Sequence, residues 1–218
     1  MIDENVWAHL ADSEGYGRPS KKVDHVEIAF SEAQKLTGYK HGGHAMIWAP
    51  DPDHKVFDLY SSRAQILMQM RFDGLLGFPG GLIDPGEDVI TGVNRELREE
   101  IRLDPKFDLT HADHVASHRD DGKNLVLHFF TKKVTLEEFR EIEKDVLSAE
   151  EYGAEVLGPV RVPLYTMGDN LRGLPMFLLN QFAGNARGQL LTSVESLGIL
   201  TKHEIAEAVR AAENFDKK

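Results

Sequence analysis

The stretch "GFPGGLIDPGEDVITGVNRELREEIRL", residues 77 to 103, narrows the choice of fold more than any other part of the chain. Its first eleven residues hold four glycines and two prolines, directly before a segment with helical spacing. Backbone there can turn sharply and approach a neighbour closely, because glycine carries no Cβ and proline fixes φ. Residues 88–102 follow as an amphipathic helix. At roughly 100° per residue, Ile90, Val93, Leu97 and Ile101 fall on one apolar stripe that must face a core. The glycine-rich segment is thereby tied to whatever that helix packs on.

On the same wheel Glu100 lies roughly 60°, Glu96 roughly 100° and Glu99 roughly 160° from the centre of the stripe. Two of the three carboxylates therefore border buried surface. A helix made only to be wetted would be built differently. Glu96 and Glu100 are like charges four apart, which repel. Glu99 and Glu100 also sit in the last turns, where the helix dipole disfavours anions by ~0.3–1 kcal/mol. Desolvation adds to that cost unless a cation compensates. A divalent ion answers all three objections, and hard oxygen ligands in this number suit Mg2+ or Mn2+. Glu87 falls at the helix entrance, where Arg95, two turns on, can reach back toward it.

The rest of the chain reads as alternating strands and helices. Residues 1–20 are expected to be a loosely held leader, and residues 21–218 a single domain. "KKVDHVEIAFSEAQKLTG" reads as a helix ended by Gly38. "HAMIWA" and "AQILMQM" are strand-length apolar runs, with "PDPDH" as the turn between them. "LVLHFFTKKV" is a further strand. "TLEEFREIEKDVLSAEEY" is a helix whose Thr135 and Glu138 match a capping box. "EVLGPVRVPLY" is a strand broken at Gly158 and Pro159, and the C-terminal third is mostly helical by spacing. A mixed sheet with helices on its faces fits this order.

Composition excludes several classes. A net charge of -11 argues against a protein that coats nucleic acid irrespective of sequence. Arg71, Lys132, Lys133, Arg161 and Arg172 are scattered candidates for a local basic path. There is no cysteine, so thiolate chemistry and disulfides are ruled out. No run approaches the ~20 apolar residues of a membrane span, and the N-terminus lacks the pattern of a signal peptide. An intracellular address, cytoplasmic or nuclear, is the expectation.

Gly81, then Glu87 after five residues, then "RELREE" after seven more, resembles the signature of the Nudix hydrolase family over residues 81–103. Every acidic position of the pattern is filled. One position departs from it: Arg102 stands where a helix-ending glycine is expected, and Pro105 can stop the helix instead. The similarity extends over roughly residues 38 to 200, through "HGGHAMIWAPDPDHKVF", "AQILMQMRFDGLLGFPGG", "EVLGPVRVPLYT" and "GLPMFLLNQFAGNARGQLL". There the chain is similar to family members that remove 7-methylguanosine caps from small nucleolar and other RNA and hydrolyse inosine and xanthosine diphosphates.

The resemblance implies a Nudix α/β/α sandwich on a mixed sheet, extra C-terminal helices and a homodimer in the nucleus, nucleolus or cytoplasm. It implies metal ligation by Glu96 and Glu100 with the Gly80 carbonyl. Glu99 completes the acidic cluster, and His118 matches a family histidine near the metal. Gly81, Glu87 and Arg95 take the structural positions of the signature. Substrate contacts carry over to His44, Arg71, Phe78 and Gln189. Two other readings stay open: a hydrolase of the ADP-ribose type, and a catalytically silent fold that binds RNA or a nucleotide.

Each carried-over residue has a bland alternative. Phe78, between Gly77 and Pro79, either stacks a purine or plugs the core. Arg71 either forks onto a phosphate or is solvated at a strand end. His44 is read as base-recognising, with His41 structural or exposed. Gln189 is otherwise an ordinary helix amide. Outside the signature, Glu155 opens a strand after a glycine, and is read as the general base or an extra ligand; the alternative is an exposed strand-start carboxylate.

Overall fold

A computed structural model describes residues 25–216, so the leader expected for residues 1–20 lies outside the described part. Eight strands form the frame: β1 (Val26–Ile28), β2 (Lys40–Val56), β3 (Tyr60–Arg71), β4 (Leu76–Gly77), β5 (Gly80–Ile83), β6 (His114–Asp120), β7 (Leu125–Lys133) and β8 (Val156–Arg161). Their order is β1-β6-β7-β2-β3-β4, with β5 also on β2 and β8 also on β3. β2 and β7 run parallel and the other pairs antiparallel, so the sheet is mixed as expected.

Helices cover both faces. Odd-numbered Ala45, Ile47 and Ala49 of β2 face a core completed by α2 (Val89–Ile101), through Val93, Leu97 and Ile101, and by Phe139 and Ile142 of α3 (Leu136–Asp145). Met46 and Trp48 face the other core, built with α4 (Leu174–Phe177), α5 (Ala186–Ser196) and α6 (Lys202–Asp216). The alternation of β2 thus divides the interior into two layers. The result is an α/β/α sandwich with C-terminal helices on one face.

Three local expectations are corrected. The helix read over residues 21–38 is, in its described part, β1 followed by the single turn α1 (Phe30–Ala33). Val26 and Ile28 are β-branched, and pairing with Ser117–Arg119 of β6 overrides their helical spacing. "PDPDH" is not the hairpin turn. β2 continues through it with an irregularity between Asp51 and Lys55, and the chain reverses at Phe57 and Asp58, both at positive φ. Pro50 is tolerated because it lies past Trp48↔Lys133, the last pair with β7. Likewise β8 runs through Gly158 and Pro159 unbroken, pairing only with β3 among the described strands.

The helix of the opening stretch forms as read. Asp88 caps it, accepting from the N–H groups of Ile90 (3.0 Å) and Thr91 (3.1 Å). At its other end Arg102 adopts φ 52° and ψ 40°, and the Leu103 N–H donates to the Leu97 carbonyl. Arg102 itself therefore makes the left-handed turn that a glycine usually makes, and Pro105 only opens the next short 3-10 turn. Among the described residues no helix is long and apolar enough to cross a membrane.

Candidate active site

The site lies where β2 and β3 part. β2 pairs with β3 from Trp48↔Ile66 outward, but its first residues take β5 as their neighbour, from His41↔Ile83 to His44↔Gly80. β3 runs on to pair with β8 and β4. A cavity of about 480 Å3 opens between them, roofed by residues 183–189.

One wall is acidic. α2 brings Glu96 and Glu99 to the cavity, and the segment before β8 adds Glu151 and Glu155. Gly81 lets α2 come this close: a Cβ there would lie 2.2 Å from Glu96 Oε2. Glu100 stands behind the wall, 3% exposed. It accepts from the Gly80 N–H at 2.6 Å and from Gln69 Nε2 at 2.8 Å. This bond engages the Gly80 N–H; the Gly80 carbonyl, suggested by sequence as a metal ligand, takes no part in it. Burial pushes the Glu100 carboxyl up to about 8, against those two hydrogen bonds. Burial also raises Glu96 to about 7, opposed by Arg95 and reinforced by Glu99.

Arg95 organises this wall. Its guanidinium reaches Glu87 (3.0 Å), Glu96 (2.7 Å) and Glu99 (2.9 Å) together. The bond to Arg95 holds the Glu87 carboxyl below its usual range. Glu87 also accepts from the Asp84 N–H, closing the turn before α2. Among the described residues no three acidic or imidazole side chains already stand around one point as a metal-ligand set. The donors nevertheless fit a hard divalent cation. They are oxygens, two are desolvated carboxyls held above their normal range, and Gly81 leaves a cradle against the backbone. Arg95 holds one oxygen each of Glu96 and Glu99, Oε1 and Oε2 respectively, and the second oxygen of each carboxylate is the one offered to an ion.

The opposite side of the cavity is suited to a base and phosphate. His44 lines it, held neutral by desolvation and by Arg71, which lower it to about 4. Arg71 is fixed by Asp73 at 3.1 Å. Gln189, on α5, is 8% exposed, and its Nε2 has no hydrogen-bond partner among the described residues. Phe78 is among the residues that line the cavity, but its side chain is core: it is 1% exposed and packs on Phe129 with ring centres 5.0 Å apart, which leaves little open face for stacking. Phe72, which the sequence reading passed over, lines the cavity at 37% exposure with the Arg71 guanidinium 5.4 Å from its ring centre.

His118 is not brought to the wall. It lies on β6 outside the cavity lining, its ring centre 6.3 Å from that of His25. His41 is structural. It faces the other side of β2 in a buried line: His41 Nε2 to the Leu36 carbonyl, His41 Nδ1 to His128 Nε2, His128 Nδ1 to Ser117, and Ser117 to His114. The Leu36 carbonyl can only accept, so with neutral rings each donor in that line is determined: His41 Nε2, His128 Nε2, Ser117 and His114 Nε2. Glu151 is the acidic residue the sequence reading missed. Its N–H donates to the Glu99 carbonyl at 3.0 Å, and its carboxyl is raised by burial and by Glu155. The only signal was its place four residues before Glu155.

A mixed sheet between helices, with an acid-bearing helix pressed on a glycine-rich strand, is the architecture of a Nudix hydrolase. The family described as Nudt16-like: U8 snoRNA-decapping enzyme-like matches residues 41–200, and the chain belongs to it. The U8 snoRNA-decapping enzyme of Homalodisca vitripennis is 47% identical over 178 residues, 80% of this chain and 95% of that protein. The Tudor-interacting repair regulator protein of Homo sapiens is 39% identical over 198 residues, 88% of this chain and 90% of that protein. The NUDIX domain of Shewanella oneidensis NrtR, solved with ADP ribose, covers 78% of this chain and 99% of its own at 16% identity and a TM-score of 0.46. Hydrolases of this family depend on divalent metal and act on phosphoric anhydride bonds.

Proposed function

We propose that the cavity hydrolyses inosine or xanthosine diphosphates, deoxy forms included, to monophosphates, or removes 7-methylguanosine caps from RNA. One observation carries the reading: desolvated Glu96 and Glu100 lie against glycine backbone at one wall, facing neutral His44 and the unsatisfied amide of Gln189 across a nucleotide-sized space. Glu96, Glu99 and Glu100 would hold Mg2+ or Mn2+, with the Gly80 backbone beside them. When bound, the ion neutralises charge developing on the phosphoryl oxygens and helps orient the attacking water.

The chain's own residues do the rest. Arg71, set by Asp73, meets a phosphate. His44 and Gln189 pair with the polar edge of the base, and Phe72, beneath the Arg71 guanidinium, borders it. Water attacks phosphorus, one P–O bond forms and the anhydride P–O bond breaks. Glu155, in the wall beside Glu99 and Glu151, takes the water's proton. His118 has no part in these steps. A homodimer belongs to the same reading, as does a nuclear, nucleolar or cytoplasmic address, for which the support is the relatives named for snoRNA decapping.

The test is product identification by mass for inosine, xanthosine and guanosine diphosphates, ADP-ribose and capped RNA, with Mg2+, Mn2+ or EDTA. Glu100→Gln is expected to lower turnover at least ~100-fold while nucleotide still binds, since transition-state charge stabilisation of this kind contributes about that much. Near wild-type turnover in that variant would overturn the reading. Intact turnover in a folded Glu155→Gln protein would remove only the role given to Glu155.

A second reading, a catalytically silent binding module, is favoured by the 39% identity to a relative named for its interaction with Tudor. The wall of Glu87, Arg95, Glu96, Glu99 and Glu100 counts against it, because binding alone does not need desolvated acids. It gains the ground if no substrate in the panel is cut with either metal.

A further inference from the structure

Glu100 spans the parting of the sheet. Gln69 lies on β3 and Gly80 on β5, two strands that do not pair with one another. Gly77, opposite Gln69, is the last residue of β4, and Gly80, opposite His44, is the first of β5. Between them the chain crosses from the β3 side of the gap to the β2 side. The carboxylate of Glu100 enters that gap from α2 and takes a hydrogen bond from each side. Gly80 N–H and Gln69 Nε2 both donate to Oε2, at 2.6 and 2.8 Å, and neither donates to Oε1.

Gln69 is poorly explained by packing. It stands inside the apolar run "ILMQM", residues 66–70, and is 1% exposed. By the alternation of β3 it shares a face with Leu67, which packs in the core beneath α2, while Met68 turns to the other core. A leucine or methionine would fill that place with no polar atom to satisfy. A buried amide costs free energy unless its hydrogen bonds compensate, and here they do so only in part. Nε2 is used by Glu100, whereas Oε1 is buried with no hydrogen-bond partner among the described residues.

We propose that Gln69 is a positioning residue for the metal cradle, a role that rests on reading Glu100 as a metal ligand. Its Nε2–H and the Gly80 N–H together pin Oε2 and leave Oε1 as the oxygen offered to the cation. Two donors converging on one oxygen fix the carboxylate, which a single donor would let swing. Gln69 does not line the cavity, so it acts through Glu100 and touches neither nucleotide nor attacking water. The chemistry of the donor suits the task. Glu96 and Glu99 are held by the Arg95 guanidinium, which offsets part of their charge. An amide is neutral, so it orients Glu100 and leaves the whole negative charge for the ion.

The effect is measurable without turnover, by titrating Mn2+ and following the free ion by electron paramagnetic resonance. Wild type would be compared with Gln69→Met, Glu100→Gln and the double variant, with thermal melts to check folding. Gln69→Leu takes the place of Gln69→Met if the methionine variant does not fold. Gln69→Met is expected to raise the Mn2+ Kd ~10-fold or more, the usual loss when a hydrogen-bond partner behind a metal ligand is removed. In the Glu100→Gln background the same substitution should change Kd by less than about twofold, because the two side chains act as one unit. An unchanged Kd in a folded Gln69 variant overturns the proposal. So does an equal loss in both backgrounds, which would mean that packing and not Glu100 carries the effect. Metal-dependent turnover in a protein whose Mn2+ affinity ignores Gln69 sinks the proposal alone. Gln69-dependent Mn2+ binding in a protein that cuts nothing upholds it and sinks the hydrolase reading.

Discussion

Arg102 shows how much one residue can conceal. Its sequence position pointed to a missing glycine but not to what replaces it, because φ depends on what the following residues pack against. Leu103 is buried at 3% exposure, and keeping it there with its N–H on Leu97 forces Arg102 into the left-handed region. An L side chain there costs about 1–2 kcal/mol. Arg102→Gly is therefore expected to stabilise the protein by about 1 kcal/mol, since glycine's larger unfolded-state entropy offsets part of the gain. That corresponds to roughly 2–4 °C in Tm for a domain of this size. Thermal melts of the two proteins decide it, and an unchanged or lower Tm would mean that the turn is not strained. Phe78 concealed the opposite. Its neighbours Gly77 and Pro79 suggested an open loop, but β4 and β5 flank it and turn its ring into the core. Whether a loop aromatic faces in or out is set by partners far along the chain, here Phe129.

At the scale of elements, α2 was the most legible part because its constraints are local. The wheel ranks Glu100, Glu96 and Glu99 by distance from the apolar stripe, and their exposure follows that order: Glu100 is buried, while the side chains of Glu96 and Glu99 are 15% and 33% exposed. The sequence suggested Arg95 reaching back to Glu87 but not its simultaneous hold on Glu96 and Glu99, because one guanidinium's choice among neighbouring carboxylates is set by side-chain rotamers. It also could not show how α2 is seated. A Cβ on Gly43 would lie 2.8 Å from Val93 Cβ, so β2 and α2 touch through a glycine. Gly43→Ala is expected to push α2 outward and to cost ~1–3 kcal/mol by overpacking. Carboxylates moved with the helix would lower turnover by more than the lost stability explains. Urea unfolding together with kcat tests this, and a variant of wild-type stability would show that the contact relaxes freely.

The whole molecule responds to pH through two opposed sets of buried groups. His128 and His44 are lowered to about 3 and about 4 by burial, against about 6.5 in the unfolded chain. Between those values the unfolded chain binds more protons, so stability rises with pH up to about 6.5. Glu96 and Glu100, at about 7 and about 8, do the reverse: the folded chain keeps protons that the unfolded chain gives up above about 4.5. Metal-free protein is thus expected to hold a broad plateau of Tm between about pH 4.5 and 6.5, where the two sets cancel, and to lose stability toward pH 8. Mg2+ or Mn2+ at pH 8 should restore it, and Glu100→Gln should show a shallower alkaline decline, with Glu96 carrying the remainder. Scanning fluorimetry across this range measures all three, and a profile unmoved by either cation would remove the metal cradle from the account. At this scale the layered sheet was readable from the alternation of strands and helices. The parting of β2 from β3, which makes the cavity, was not. It arises because β5 displaces β3 from the start of β2, and the competition between two partners for one edge leaves no mark in local periodicity.

β2 serves both layers from alternate residues. Lys40, Gly42, His44, Met46 and Trp48 face the cavity and one core, while His41, Gly43, Ala45, Ile47 and Ala49 face the other. Its length is consequently less free to vary than its composition. Inserting or deleting one residue at its start would exchange the two faces, carrying His41 into the cavity and withdrawing His44 from it. Descendants of this chain can alter the strand by substitution or in steps of two residues, but a single-codon indel here would reverse the inside and outside of the site at once.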